Sequence, residues 1–156
     1  MKAGKDRGPG VRIPPPLIFL LYIFLSYVLH SYFPLPLAWP AFTDLVALCF
    51  IVSGIGIAAI SAVQFWRAKT HIEPWQPATA LITTGIFSYS RNPIYLSFIL
   101  ITIGLGCYLK SVWVIVSAIP AALSVYKWVI IKEEAYLEQK FGESFREYKS
   151  QVRRWL

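Results

Sequence analysis

Two cysteines and two histidines are all that these 156 residues offer to thiol or metal chemistry. Cys49 and Cys107 lie in or beside apolar runs, and His30 and His71 are isolated, so neither a disulfide framework nor a metal centre is expected. Acidic residues are scarce as well: eight Asp and Glu stand against fifteen Lys and Arg. There is no phosphate-cradling loop; Gly54-Ile55-Gly56 sits inside an apolar run with no strand around it and is no nucleotide fingerprint. Repeats and low-complexity segments are missing too. No small-x-small cleavage site follows the first apolar run, where LPLAWPAF is bulky and proline-rich, so that run reads as an uncleaved span. Above all, the chain lacks a polar face for water. It is 56% hydrophobic with mean hydropathy +0.55, well above soluble composition.

What is present is a set of four apolar stretches, Leu17–Phe33, Leu45–Trp66, Ile94–Leu109 and Val112–Ile131, long enough or nearly so to cross a hydrocarbon core of about 30 Å. The first and third are short and need tilt or local thinning. The expected fold is an all-α integral membrane protein of about four transmembrane helices plus a C-terminal amphipathic cytoplasmic helix, in one domain, 1–156. Residues 1–13 are expected as a polar, mobile tail, 17–66 as two N-terminal spans and 67–152 as the core bearing the motifs. Pro14-Pro15-Pro16 stiffens the approach to span one. Pro34 and Pro36 end it in a tight outer turn. Pro120 predicts a kink in span four. Small residues from Ser53 to Ala62 predict close helix packing by span two.

Positive charge orients the bundle. Lys2, Lys5, Arg7 and Arg12 precede span one; Arg67, Lys69 and Arg91 lie between spans two and three. Lys127, Lys132, Lys140, Arg146, Lys149, Arg153 and Arg154 sit at or beyond the end of span four, while the other two connections hold only Lys110. Both termini and segment 67–92 are therefore expected in the cytoplasm. Trp39 and Trp113 fall at the outer interface and Trp66, Trp75 and Trp128 at the inner one. Topology accounts for the net charge of +7, with anionic lipid headgroups rather than nucleic acid as the counter-charge.

The junction GIFSYSRNPIY, residues 85–95, concentrates the chemistry. Proline suits the first position of a helix and Asn92 before it is a good N-cap, so span three is expected to start there with Arg91 in front. A helix start offers free N–H donors and partial positive charge to an anion such as a carboxylate. Beyond span four, the carboxylate pair Glu133-Glu134 can hold an ammonium or sulfonium. Anion site plus cation site describes a receptor for a zwitterion. Between them, segment 67–92 is too polar for a span and too long for a simple turn, and Trp75, Phe87 and Tyr89 in it can wall an adenine or face a sulfonium; interfacial anchoring is the other reading of those aromatics. Leu137, Phe141, Phe145, Tyr148 and Val152 then recur at helical spacing with charge on the other faces, predicting one amphipathic helix, either a membrane anchor or a lid over the site.

The pattern THIEP, ALITTGIFSYSRNPIYL and KEEAYLEQKFGESFREYKSQV, over residues 68–152, resembles the integral-membrane isoprenylcysteine carboxyl methyltransferase and phospholipid methyltransferase families, and is most similar to small prokaryotic members of the first. The resemblance implies S-adenosylmethionine as methyl donor, S-adenosylhomocysteine as product, a cytoplasmic-side cofactor pocket closed by the C-terminal segment, a membrane lipid or lipidated acceptor, and a prokaryotic cytoplasmic membrane. It implies an adenosine pocket lined by Thr79, Ala80, Leu81 and Ile82, with Phe87 as an aromatic contact. Asn92, Pro93, Ile94 and Tyr95 match an Arg-His-Pro-x-Tyr element, Asn92 replacing the usual histidine. Glu133 matches the cofactor-binding glutamate, suited to the donor's amino group. Glu134 and Arg91 are the expected catalytic side chains. Eukaryotic prenylcysteine enzymes carry an arginine four residues before that glutamate; here it is Val129, so the resemblance implies the cofactor site without implying a prenylcysteine carboxylate as acceptor. Other readings remain open: a phospholipid N-methyltransferase, a sterol-reductase-like enzyme using a nicotinamide cofactor, or a non-catalytic membrane scaffold.

Overall fold

The computed structural model describes residue 6, residues 8–35 and residues 38–156. Among these there are six α-helices and no strand: α1 (Pro15–Tyr32), α2 (Thr43–Arg67), α3 (Pro93–Tyr108), α4 (Val112–Val125), α5 (Ile131–Phe141) and α6 (Glu143–Gln151). Lys2, Lys5, Arg7 and Pro36, which carried part of the charge and turn expectations, lie outside the described residues. Three helices are long and apolar enough to cross a bilayer, Pro15–Tyr32, Thr43–Arg67 and the continuous Val112–Phe141, and Pro93–Tyr108 is a shorter apolar helix. Large apolar side chains such as Leu20, Phe24, Leu48, Ile55, Ile119 and Leu123 are exposed along them. Such a surface is stable against hydrocarbon and not against water. This is an all-α integral membrane protein.

Helix ends follow local chemistry. Pro15 and Pro16 do not merely precede span one; they form the first turn of α1, where a missing N–H costs nothing. Lys110 takes a left-handed φ of 51° and the Ser111 hydroxyl accepts from Val114 N at 3.3 Å, closing the α3–α4 hairpin in three residues. Trp113 Nε1 donates to Phe33 O at 2.8 Å and ties that hairpin to the end of α1.

With lipid outside, burial of apolar area adds little between spans, so close approach must hold them together. At α2 against α3, a Cβ on Gly54 would meet Ser97 O at 2.8 Å, and one on Gly104 would meet Ala47 O at 3.0 Å. Tyr22 and Ser124 share a hydrogen bond of 2.9 Å between α1 and α4. The apolar core lies at one end of the bundle, where Ile18, Phe19, Tyr95, Val125, Val129 and Ile130 pack together. It supports the functional site.

Helix α4 keeps Pro120 in its interior and passes into a π-helical turn over Tyr126–Ile130. One extra residue in a turn rotates the helix beyond it by about 100°, which re-aims the face of α5 relative to α4. The C-terminal stripe is not one helix: Gly142, at φ 54° and ψ −122°, separates α5 from α6 in a region open only to glycine, and Val152 is extended. The described part of the N-terminal tail is tied down. Asp6 accepts from Tyr136 Oη at 2.9 Å, from Gly8 N at 3.0 Å and from Lys140 Nζ, and Val11 is buried in the core.

Candidate active site

The longest connection, 68–92, contains one short 3₁₀ turn, Gly85–Ser88, and is otherwise held by side chains. Thr70 Oγ1 accepts from Thr79 N at 2.9 Å, Thr79 Oγ1 donates to Lys69 O at 2.7 Å, and Ala78 N donates to Tyr136 Oη at 3.1 Å. Gly85 has φ 62°, and any Cβ there would collide with the Gln64 side chain. These bonds hold the strip 80–82 across the end of the bundle, opposite α5.

A cavity lies beneath that strip. It is lined by Ala80, Leu81, Ile82 and Phe87 on the loop side, by Arg91, Asn92, Pro93, Ile94 and Tyr95 at the start of α3, and by Glu133 and Glu134 on α5. Every residue that the family resemblance puts at the site lines it except Thr79, whose hydroxyl and amide are spent within the loop. Trp75 and Tyr89 do not line it; Tyr89 is exposed.

The two carboxylates part company. Glu133 is half-buried, and both its oxygens accept from the buried Tyr95 hydroxyl, at 2.9 and 3.0 Å. Among the described residues no cation lies within salt-bridge distance of it. Glu134 instead accepts a two-pronged bond from Arg154, Nε at 3.0 Å and Nη2 at 2.8 Å. It also pairs with Arg91 Nη1 at 3.3 Å. The expected joint grip of both carboxylates on one cation is therefore not formed: Glu133 faces the cavity uncompensated, and Glu134 is neutralised.

Asn92 occupies the N-cap position of α3, but its side chain does not cap. Its Nδ2 donates to Arg154 O at 3.0 Å, and Arg91 N donates to Arg153 O at 3.0 Å. The C-terminal residues thus fasten to the start of α3 and leave its first N–H groups to other partners. Arg91 is almost enclosed, with 9% of its side chain exposed. Its Nε and Nη1 are buried without a hydrogen-bond acceptor, because the contact with Glu134 lacks the alignment of a bond. A buried guanidinium with uncommitted donors is costly unless an anion completes it.

The stripe closes the other side. Phe145, Tyr148 and Val152 are buried together, with Leu137, Phe141 and Leu81 packed on them. Tyr148 Oη donates to Phe87 O at 2.7 Å. Burial pushes that phenol up to about 12, against the opposing pull of Arg91, so it stays a donor at any physiological pH. Sequence reasoning missed Arg154 and Tyr136. Tyr136 lies three residues beyond Glu133, on the same helical face, and that spacing was the available signal. Arg154 had no local signal; it reads as one more inner-side charge.

A helical membrane bundle with a cavity of separated charges at one end is the frame of a membrane-embedded enzyme. The chain belongs to the phospholipid methyltransferase family, whose model matches residues 42–144. It is 31% identical over 111 residues to the protein-S-isoprenylcysteine O-methyltransferase of Schizosaccharomyces pombe, covering 68% of this chain and 46% of that one. It is 27% identical over 135 residues to the Dictyostelium discoideum protein of the same name, covering 85% and 56%. The chain thus spans about half the length of these two relatives. An uncharacterized Haemophilus influenzae protein is 40% identical over 63 residues, covering 40% of this chain and all of that protein. No solved structure matches.

Proposed function

We propose that this protein is an S-adenosylmethionine-dependent membrane methyltransferase acting on an amphipathic or lipid-like acceptor. The observation that carries the reading is a carboxyl group with no cation partner and a guanidinium with buried, uncommitted donors, both lining one cavity. Glu133 lacks a cation and Arg91 has buried donors lacking an acceptor. A methionine-type zwitterion supplies both.

The residues fit the donor. Arg91 and the start of α3 would take its carboxylate, Glu133 its ammonium, and Ala80, Leu81, Ile82 and Phe87 would wall its base. The bound donor supplies a methyl group made electrophilic by the adjoining sulfonium. Glu134, held between Arg91 and Arg154, fixes the Arg91 guanidinium and is assigned positioning rather than contact with the reacting atoms. Phe145 and Tyr148 keep water out. Alignment of this kind can contribute about 7–11 kcal/mol in favourable cases. An acceptor carboxylate needs no base, an amine must be neutral, and a hydroxyl needs proton removal. The two named relatives favour O-methylation of a lipidated cysteine; the family's name favours a phospholipid.

Calorimetry of the detergent-purified protein tests the reading: S-adenosylhomocysteine should bind and NADPH should not. Binding of NADPH alone would replace it with the reductase reading, and binding of neither with the scaffold.

Both termini and segment 67–92 are proposed to face the cytoplasm, in a prokaryotic cytoplasmic membrane, which gives the cavity access to soluble donor. Ser31 and Ser144 are both exposed, near opposite ends of the molecule. With Cys49 and Cys107 replaced by alanine, Ser31→Cys should react with an impermeant maleimide added to intact cells and Ser144→Cys should not. The reverse pattern would put the cavity on the wrong side.

A further inference from the structure

The chain ahead of α1 crosses the rim of the cavity. Val11 is buried in the apolar core with Tyr95 and Val129. Pro9 lines the cavity, together with Ala78, Ala80 and Tyr136. Gly8 lies on the backbone of the long loop, where a Cβ would meet Trp75 O and Gln76 C, each at 2.8 Å. Asp6 reaches α5: Tyr136 Oη donates to it at 2.9 Å, and Lys140 Nζ pairs with it. Asp6 and Gly8–Val11 thus form a strap between the core and the helix that carries Glu133.

Backbone chemistry shapes this strap. Gly8 and Gly10 hold left-handed φ values of 69° and 68°, and the ring of Pro9 fixes the φ between them. At Gly8 the loop also leaves no room for a side chain. At Gly10 a Cβ would meet nothing within 4 Å, so only the backbone conformation calls for glycine there. A glycine so placed is free to turn, and it separates the buried anchor from the rest of the strap.

The two anchors differ in kind. Val11 is apolar and 4% exposed. At the other end the Asp6 and Lys140 side chains keep 40% and 30% of their surface in the open. Such pairs are weak and screened by salt. The Tyr136 hydroxyl beside them donates to Asp6 and accepts from Ala78 N and Lys140 Nζ, each at 3.1 Å, which uses its full capacity. Loop, α5 and strap therefore meet at one hydroxyl. Parting Asp6 from it frees the strap while the loop and α5 stay joined.

We propose that the strap is a gate on the cavity: it releases at Asp6, swings about Gly10, and sets how fast the methyl donor enters and the product nucleoside leaves. What passes beneath the strap rests on the methyltransferase reading; the gate itself does not.

The test uses the full chain in detergent, with Cys49 and Cys107 replaced by alanine and Ala80→Cys as a reporter thiol in the cavity wall. Asp6→Ala removes the latch, and Gly10→Ala strains the closed strap without a clash. Each should raise the rate of maleimide attack on the reporter by about fivefold. Molar salt should raise that rate with Asp6 in place and have no effect in Asp6→Ala. Without the reporter, labelled S-adenosylhomocysteine should leave both strap variants about fivefold faster than the original. Glu143→Ala, which breaks an exposed pair with Arg146 on α6, should change neither rate. Unchanged rates in both strap variants would overturn the gate. Faster maleimide attack in the strap variants of a protein that binds no S-adenosylhomocysteine would leave the gate standing and overturn the donor reading instead.

Discussion

Glu133→Gln is expected to weaken S-adenosylhomocysteine binding by about tenfold to a hundredfold. Glutamine has the same shape and can still accept from the Tyr95 hydroxyl, which now donates to both carboxylate oxygens at 2.9 and 3.0 Å. The substitution removes the charge and leaves the packing of α5 in place. A hydrogen bond to a charged group contributes about 1.5–3 kcal/mol, and each 1.4 kcal/mol is about tenfold in affinity. Tyr95→Phe is the companion: the carboxyl group stays in place but loses the hydroxyl that orients it, so affinity should fall less. Isothermal titration of both variants checks this. A Glu133→Gln protein that binds the product nucleoside as tightly as the original would remove Glu133 from the site.

Phe145→Ala is expected to open the cavity. Phe145 is 1% exposed, edge-on to the Tyr148 ring, and packed with Leu81 and Leu137. Truncating a fully buried phenylalanine costs about 3–5 kcal/mol. Helix α6 has nine residues, too few to persist without tertiary support. Once the ring is gone, the bond from Tyr148 to Phe87 O should loosen with it, and water should reach Glu133. Product-nucleoside affinity and methyl transfer should fall together, at least tenfold, and protease should cut beyond Gly142, while the α1–α4 bundle keeps its melting temperature in detergent. Phe141 is only half-buried, so Phe141→Ala should show the same pattern more weakly. If α6 were merely a surface anchor, affinity in detergent would not change, and that outcome would sink the lid.

Hydropathy placed four apolar helices to within a few residues because nothing but a helix satisfies its own backbone in lipid. The motif residues around Asn92 and Glu133 were legible for a related reason: Pro93 marks a helix start, and paired acids at a span's end stand out against an apolar background. The N-cap role was misjudged because Asn92 had a better partner in Arg154 O, sixty-two residues away. The single amphipathic helix was misjudged because helical spacing survives a break. Gly142 divides the stripe, yet Phe145 and Tyr148 still land on Leu81 and Leu137.

Composition and order of residues by themselves determined that this chain lives in a bilayer, that its first four helices are apolar all round, and that unlike charges collect near the ends of α3 and α4. Those are consequences of solvation and of local backbone chemistry, which act over a few residues. Which carboxylate stays available was decided only in three dimensions. Adjacent residues on α5 point about 100° apart, so Glu133 meets Tyr95 while Glu134 meets Arg154 and Arg91. That assignment depends on the π turn that re-aims α5 and on a C-terminal segment that folds back onto the start of α3. Neither leaves a trace in hydropathy or spacing, because each is settled by contacts between residues far apart in the chain.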